Sequence, residues 1–259
     1  MIAPRVIPVL QIDRYGWLVK TKGYRSPRYL GDPINAVKIF NEKQVDELVV
    51  VDIDANRLGT APSYDLLEDI ASEAFMPVAY GGGVRSLGNA RRVIDLGIEK
   101  VVVNSCLATH PQDVERIAAE LGSQSVIASV DIRRHPDGTQ YATYASATKD
   151  TGLRAEDFAR RAVDMGVGEI LASFVDREGL GTGYDLDALR SITGAVNVPV
   201  IAYGGARSME HFTEGLAHGA SAVAAGSKFV FYGRNDAVLI TYPEPEAIAM
   251  LCAGSRDQS

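Results

Sequence analysis

Residues 77–105, PVAYGGGVRSLGNARRVIDLGIEKVVVNS, recur as residues 199–227, PVIAYGGARSMEHFTEGLAHGASAVAAGS, without a gap at an offset of 122. Nine positions are identical, among them Gly82/Gly204, Gly83/Gly205, Arg85/Arg207, Ser86/Ser208 and Ser105/Ser227, far more than chance gives, so the chain repeats internally. Each copy reads as strand, Gly-rich turn, helix, strand and small-residue turn, which is a βαβ unit. Its turns at the C-terminal strand ends offer backbone N–H groups near a helix start, a setting that attracts phosphate.

The repeat extends outward. Val45–Val49 matches Val167–Leu171 at the same offset, Asp54 falls on Asp176, and Val6–Gln11 matches Val126–Asp131 at an offset of 120. Apolar β-branched runs predict strands near 5–11, 46–53, 77–81, 100–104, 125–131, 169–174, 198–203 and 222–225, buried on both faces. Helical spacing falls between them, at 33–43, 64–73, 87–96, 111–121, 154–165, 186–193 and 209–218. Eight such units with a half-barrel repeat predict an α/β fold, a (β/α)8 TIM barrel forming one domain over 1–259. The half-barrels are about 1–122 and 123–245, with a frayed tail at 246–259. Two stretches, Asp13–Leu30 and Arg133–Lys149, read as long irregular loops on the functional face, rich in aromatics and cations.

Composition sets outer limits. A length of 259 residues suits one barrel, and a net charge of −7 argues against a general nucleic-acid binder. Two cysteines without a CxxC and four scattered histidines argue against a disulfide framework or a structural zinc. No cofactor or metal is expected. The amino terminus lacks a signal-peptide pattern and nothing approaches the roughly 20 apolar residues of a membrane span, so a cytoplasmic protein without membrane association is expected.

Three constellations carry chemistry. Gly82, Gly83, Asn104 and Ser105 in one half, with Gly204, Gly205, Gly226 and Ser227 in the other, read as two phosphate cradles facing one mouth, for a ligand with two anionic ends; tight turns are the plainer alternative. Acid–base candidates at that mouth are Asp131, Asp52, Asp54, Asp176, Glu178 and Lys20. Asp131 ends a strand facing the centre, and Glu178 lies in the DREG turn; Asp54 and Asp176 fit loop hydrogen bonding better than catalysis. At the opposite face, Arg5, Glu47, Lys100 and Glu169 stand at strand starts, where interior charge is costly unless paired, and two cations with two anions balance as a ring. End-of-strand surface charges are the alternative.

The half-barrel repeat, the YGGG and YGGA turns, VNS and AGS, GSQSVIASVD, VGEILASFVDREGLGTGYD and GGARSMEHF together resemble, over essentially the whole chain, the cyclase subunit of imidazole glycerol phosphate synthase, the HisF-like family. The resemblance implies a glutaminase docked under the barrel, and ammonia entering through a charged gate at Arg5, Glu47, Lys100 and Glu169. It also implies a substrate with two phosphates at the top. Two departures stand out. The family's strand-one aspartate is Gln11 here, leaving Asp131 as the remaining aspartate of the pair, and its DRDG turn is DREG. GDPINAVKIFNEKQVDELVVVDIDA, Val19–Thr21 and AAGSKFVFYGRNDAVLITYP are similar to the paralogous branch of surface-polysaccharide gene clusters, which implies delivery of ammonia to an ATP-dependent amidotransferase making an acetamidino sugar. Three readings follow: such a synthase-type subunit with Asp131, Gln11, Glu178 and Lys20 at its site, an authentic histidine-pathway cyclase, or a non-catalytic ammonia conduit.

Overall fold

The computed structural model describes residues 4–254, with side chains through Leu251. Twelve strands make its main sheet: β1 Arg5–Ile12, β2 Leu18–Lys22, β3 Arg25–Gly31, β4 Leu48–Asp52, β5 Val78–Gly81, β6 Lys100–Val103, β7 Val126–Arg134, β8 Gln140–Tyr144, β9 Lys149–Arg154, β10 Glu169–Phe174, β11 Val200–Tyr203 and β12 Ala222–Ala225. Eight run parallel in the order β1, β4, β5, β6, β7, β10, β11, β12, and β12 pairs back onto β1 through Arg5 with Ala222 and Ile7 with Ala224. The eight predicted strands are these eight. A closed parallel sheet leaves no edge, and the fold is the expected (β/α)8 barrel.

Two expectations need correcting. The stretches read as irregular loops are β-hairpins: β2 runs antiparallel to β1 and carries β3, and β8 runs antiparallel to β7 and carries β9. They extend the first strand of each half above the barrel mouth, so the twofold repeat includes its hairpins. The tail is no frayed end over 245–254, where Pro245–Gly254 is helical with Leu251 buried. Just before it, the Tyr242 hydroxyl donates to the Val6 carbonyl at 2.8 Å and anchors the segment to β1.

Side-chain parity sorts the barrel into layers, because alternate residues of a strand face the axis. On β1 the sequence Arg5, Ile7, Val9, Gln11 climbs from bottom to top. The apolar middle is made by Ile7, Val9, Val49, Ala79, Val102, Ile127, Leu171, Ile201, Tyr203, Ala222 and Ala224, a cluster separate from the larger core between strands and helices. Charge and polarity are confined to the two ends of the axis.

The repeated glycines are required by packing. A Cβ on Gly83 would meet the Thr60 carbonyl oxygen at 2.6 Å, and one on Gly205 the Gly183 carbonyl oxygen at 2.3 Å; both residues have positive φ, 69° and 99°. Gly205→Ala is therefore expected to lower stability by about 1–3 kcal/mol, since backbone cannot yield as a flexible side chain does. Gly88→Ala, in an exposed helical turn whose nearest neighbour is Ser86 Oγ at 3.8 Å, should instead stabilise by about 0.5–1 kcal/mol. Thermal melts of the two variants check the pair.

Candidate active site

At the N-terminal end of the axis the four predicted charges meet. Arg5 pairs with both Glu47 and Glu169, and Lys100 Nζ lies 3.0 Å from Glu47 and 3.1 Å from Glu169. The carboxylates are buried while both cations keep partial contact with solvent, so each anion is held between two cations beneath the apolar layers. Arg5 gains enough from the two carboxylates to outweigh its burial, and its pKa rises. The sequence reading of a closed ring is what the geometry contains.

At the opposite end Gln11 is bonded through both ends of its amide. Oε1 accepts from the Thr21 backbone N–H at 3.0 Å and the Thr21 hydroxyl at 2.8 Å, while Nε2 donates to Glu178 Oε1 at 2.7 Å and to the Tyr203 hydroxyl at 3.2 Å. A backbone N–H can only donate and a carboxylate only accept, so the amide orientation follows from its partners. A carboxylate at position 11 would turn an oxygen toward Glu178 where the amide offers an N–H. Glu178 Oε1 also receives Lys20 Nζ and, at 3.2 Å, the Tyr203 hydroxyl. Glu178 stands just after the turn Val175–Arg177 at the end of β10, with its own carbonyl accepting from Gly23 N–H at 3.0 Å.

Lys20, an acid–base candidate at the mouth or else a surface cation, is buried against Glu178, which excludes the surface cation; burial pushes its amine down to about 7. It lies across the second glycine turn, where a Cβ on Gly226 would meet Lys20 Cε at 2.9 Å. Gly204, Gly205, Gly226 and Ser227 are all buried, and of these Lys20 lies against Gly226.

Beside the first cradle, a cavity is lined by Gly82, Asn104, Asp52, Ser129, Asp131, Tyr24 and Tyr203, among others. Asn104 Nδ2 donates to the Ser129 carbonyl at 3.0 Å, and Ser105 Oγ accepts from Ala145 N–H at 3.1 Å, which ties this turn to the β8–β9 connection. Gly83 and Ser105 flank the turn without being part of the lining. The glycine pairs of the two copies are equally buried, and Asn104 and Ser105 are half-buried where Gly226 and Ser227 are buried.

Asp131 faces this cavity. Burial pushes its carboxyl up to about 7, against the Ser129 hydroxyl, which donates at 2.9 Å, and the positive charge of Arg133. A carboxyl titrating near neutrality can both take and give a proton. Asp52, on the same wall, is raised to about 6 by burial, but its Oδ1 accepts the N–H groups of Asp54 and Ala55 at 2.9 Å each and organises the following turn. Asp54 and Asp176 receive the backbone N–H of Arg14 and Arg134 at 3.2 and 2.9 Å, the loop role expected of them, related by the repeat.

Tyr24, Tyr203 and Thr21 were not singled out by sequence. Tyr24 comes from the turn between β2 and β3, and its hydroxyl meets Ser173 Oγ at 2.8 Å beside Asp131. Strand parity placed Tyr203 on the axis face; nothing local in the sequence placed Tyr24. Among the described residues no group of three His, Cys, Asp or Glu side chains could hold a metal ion, and no helix is long and apolar enough to cross a membrane.

Comparison with known proteins agrees with this geometry. The family described as "Histidine biosynthesis protein" matches residues 5–235. A protein of Pseudomonas aeruginosa, provisionally named as imidazole glycerol phosphate synthase subunit hisF2, is 44% identical over 94% of this chain and 97% of its own length. A Leptospira interrogans protein, provisionally named as subunit HisF of the same synthase, is 42% identical over 95% and 97%. Imidazole glycerol phosphate synthase subunit HisF of Pyrobaculum aerophilum is 39% identical over 89% and 91%. With the closed barrel, the charged ring and the Asp131 cavity in place, this chain belongs to the histidine biosynthesis protein family and is a HisF-like member of it.

Proposed function

We propose that the chain is the synthase-type subunit of a glutamine-dependent amidotransferase, using ammonia from a glutaminase docked on its N-terminal face to form an acetamidino sugar for surface polysaccharide. The observation that carries this reading is Gln11. Where the family resemblance implies an aspartate, an amide stands with both its acceptor and its donor engaged, so one of two opposed proton-transfer groups is missing. General acid–base assistance is worth about 10²–10⁴ in rate, and a ring closure that needs two such groups suffers most. Amidination needs less. An amide carbonyl oxygen, activated by a separate ATP-using partner, leaves as ammonia adds, and one base removes the proton that nitrogen sheds; Asp131 has that position and pKa.

In this reading ammonia passes the ring of Arg5, Glu47, Lys100 and Glu169, follows the apolar axis, and emerges beside Gln11, Glu178 and Asp131. The first cradle, with Gly82, Gly83, Asn104 and Ser105, takes a phosphate of a nucleotide- or lipid-linked sugar. The second, with Gly204, Gly205, Gly226 and Ser227, takes another. The chain acts in the cytoplasm, where glutamine and activated sugars are found.

The second reading is an authentic histidine-pathway cyclase. The intact Asp131 cavity favours it, as does likeness to the HisF subunit of Pyrobaculum aerophilum. Expression in a bacterial strain lacking its histidine cyclase separates the two: the sugar reading expects no growth without histidine, and growth would sink it. Capture of a glutaminase together with an ATP-dependent amidotransferase from the native host is the expected companion result.

A further inference from the structure

The half-barrel repeat relates the end of β1 to the end of β7, and the two ends differ twice. Gln11 corresponds to Asp131, and two residues on, at the same offset of 120, Asp13 corresponds to Arg133. Asp13 is committed: its Oδ1 accepts the N–H groups of Tyr15 at 2.9 Å and Trp17 at 3.1 Å, closing the turn into β2. Arg133 carries no such duty. Its Nε is buried without a hydrogen-bond partner, and the guanidinium forms no ion pair among the described residues. The adjacent cations of this mouth are spoken for, Lys20 by Glu178 and Arg134 by Asp185 at 2.9 Å.

The direction of Arg133 follows from strand parity. Ser129 and Asp131 line the cavity, and Arg133 is the next residue on that face of β7, one step nearer the mouth. Its charge reaches Asp131 and lowers that carboxyl's pKa without an ion pair forming. A buried guanidinium N–H left unpaired is costly, and such a cost is retained where an arriving ligand supplies the acceptor. A guanidinium presents up to five donors in a planar fork that matches phosphate oxygens.

We infer that Arg133 is a substrate-binding residue that takes a phosphate oxyanion at the rim of the Asp131 cavity. The site is formed by this half alone, since the equivalent position in the other half is the turn-closing Asp13. Binding there brings an anion beside Asp131, offsets the positive charge that depresses its pKa, and so makes the carboxyl a stronger base when substrate is bound. The inference holds whichever acceptor the enzyme uses, because it concerns the anionic group and not the nitrogen-transfer chemistry; histidine-strain growth therefore leaves it untouched.

The test is calorimetric titration of the full chain with inorganic phosphate and with pyrophosphate, acetate serving as the carboxylate control, for wild type, Arg133→Lys, Arg133→Met and the distant surface variant Arg160→Met. Arg133→Met should weaken phosphate or pyrophosphate binding about tenfold, Arg133→Lys should recover part of it, and Arg160→Met should match wild type. The Asp131 midpoint, followed by carboxyl infrared absorption, should rise in Arg133→Met and should rise in wild type on adding phosphate. Binding that changes less than twofold in Arg133→Met would overturn the inference, even if the Asp131 midpoint moves, because Arg133 would then tune the carboxyl without holding a ligand. Acetate binding as tightly as phosphate would overturn the assigned ligand class. If Arg133→Met melts early, the Arg133→Lys comparison decides: Lys keeps the charge and loses the fork, and wild-type affinity for both anions would count against guanidinium recognition.

Discussion

On the proposed function, Asp131→Asn is expected to fold and bind its partners and to lose about 10²–10⁴-fold of ammonia- or glutamine-dependent turnover in the assembled complex, the range for replacing a positioned general acid–base by an amide. The same substitution changes stability with a definite sign. Burial raises the Asp131 carboxyl from 3.8 to about 7, so between those values the folded state holds a proton that the unfolded state has released. Stability from this group is complete below about pH 4 and is lost as pH rises toward 7. Asn removes that loss and can still accept from Ser129. The variant should match wild type near pH 4 and exceed it by on the order of 2–4 kcal/mol at pH 8. Turnover at the wild-type rate in a natively folded Asp131→Asn complex would make the barrel a conduit and end the catalytic reading.

Glu178→Ala is expected to cost the most stability. One carboxylate oxygen gathers Lys20, Gln11 and Tyr203, all buried. Removing it leaves a buried ammonium and two orphaned donors. Lys20 escapes part of the cost by releasing its proton, since its pKa is already near 7. A loss of about 3 kcal/mol, or about 6–12 °C in melting temperature, is expected, with Glu178→Gln falling between the two. Because β2 is held to the barrel by Thr21 on Gln11 and by Gly23 N–H on the Glu178 carbonyl, amide exchange over Leu18–Gly31 should quicken before the barrel strands do. Unchanged protection there would separate the hairpin from this network.

Much of the fold was legible because parallel strands buried on both faces leave unbroken apolar runs, and because the repeat fixed their order. The hairpins were not legible for a related reason. LVKTK and RSPRYLG have no continuous apolar run; LVKTK is a strand through pairing with the end of β1, and the exposed RSPRYLG through pairing with LVKTK. The final helix escaped notice because its anchor, Tyr242 on Val6, joins opposite ends of the chain. At the site, parity of single residues sufficed for Gln11, Asp131 and the bottom ring. For Lys20 the sequence leaves a mouth residue and a surface cation open, because a cation in a hydrophilic stretch fits both, and only the folded hairpin reveals that its partner is Glu178. The glycine pairs were read for their backbone N–H groups; what requires glycine there is the carbonyl of the neighbouring loop, a contact no local pattern records.

The seam between β1 and β12 sets when the barrel can close. Arg5 pairs with Ala222, and Tyr242 fastens the following segment to Val6, so β1 completes its pairing only after β12 and Tyr242 have been made. Until then the nascent sheet carries two open edges, each a template for pairing with another chain. Contacts so distant along the sequence form slowly, and this protein is most exposed to misassembly during synthesis, before its final turns are released.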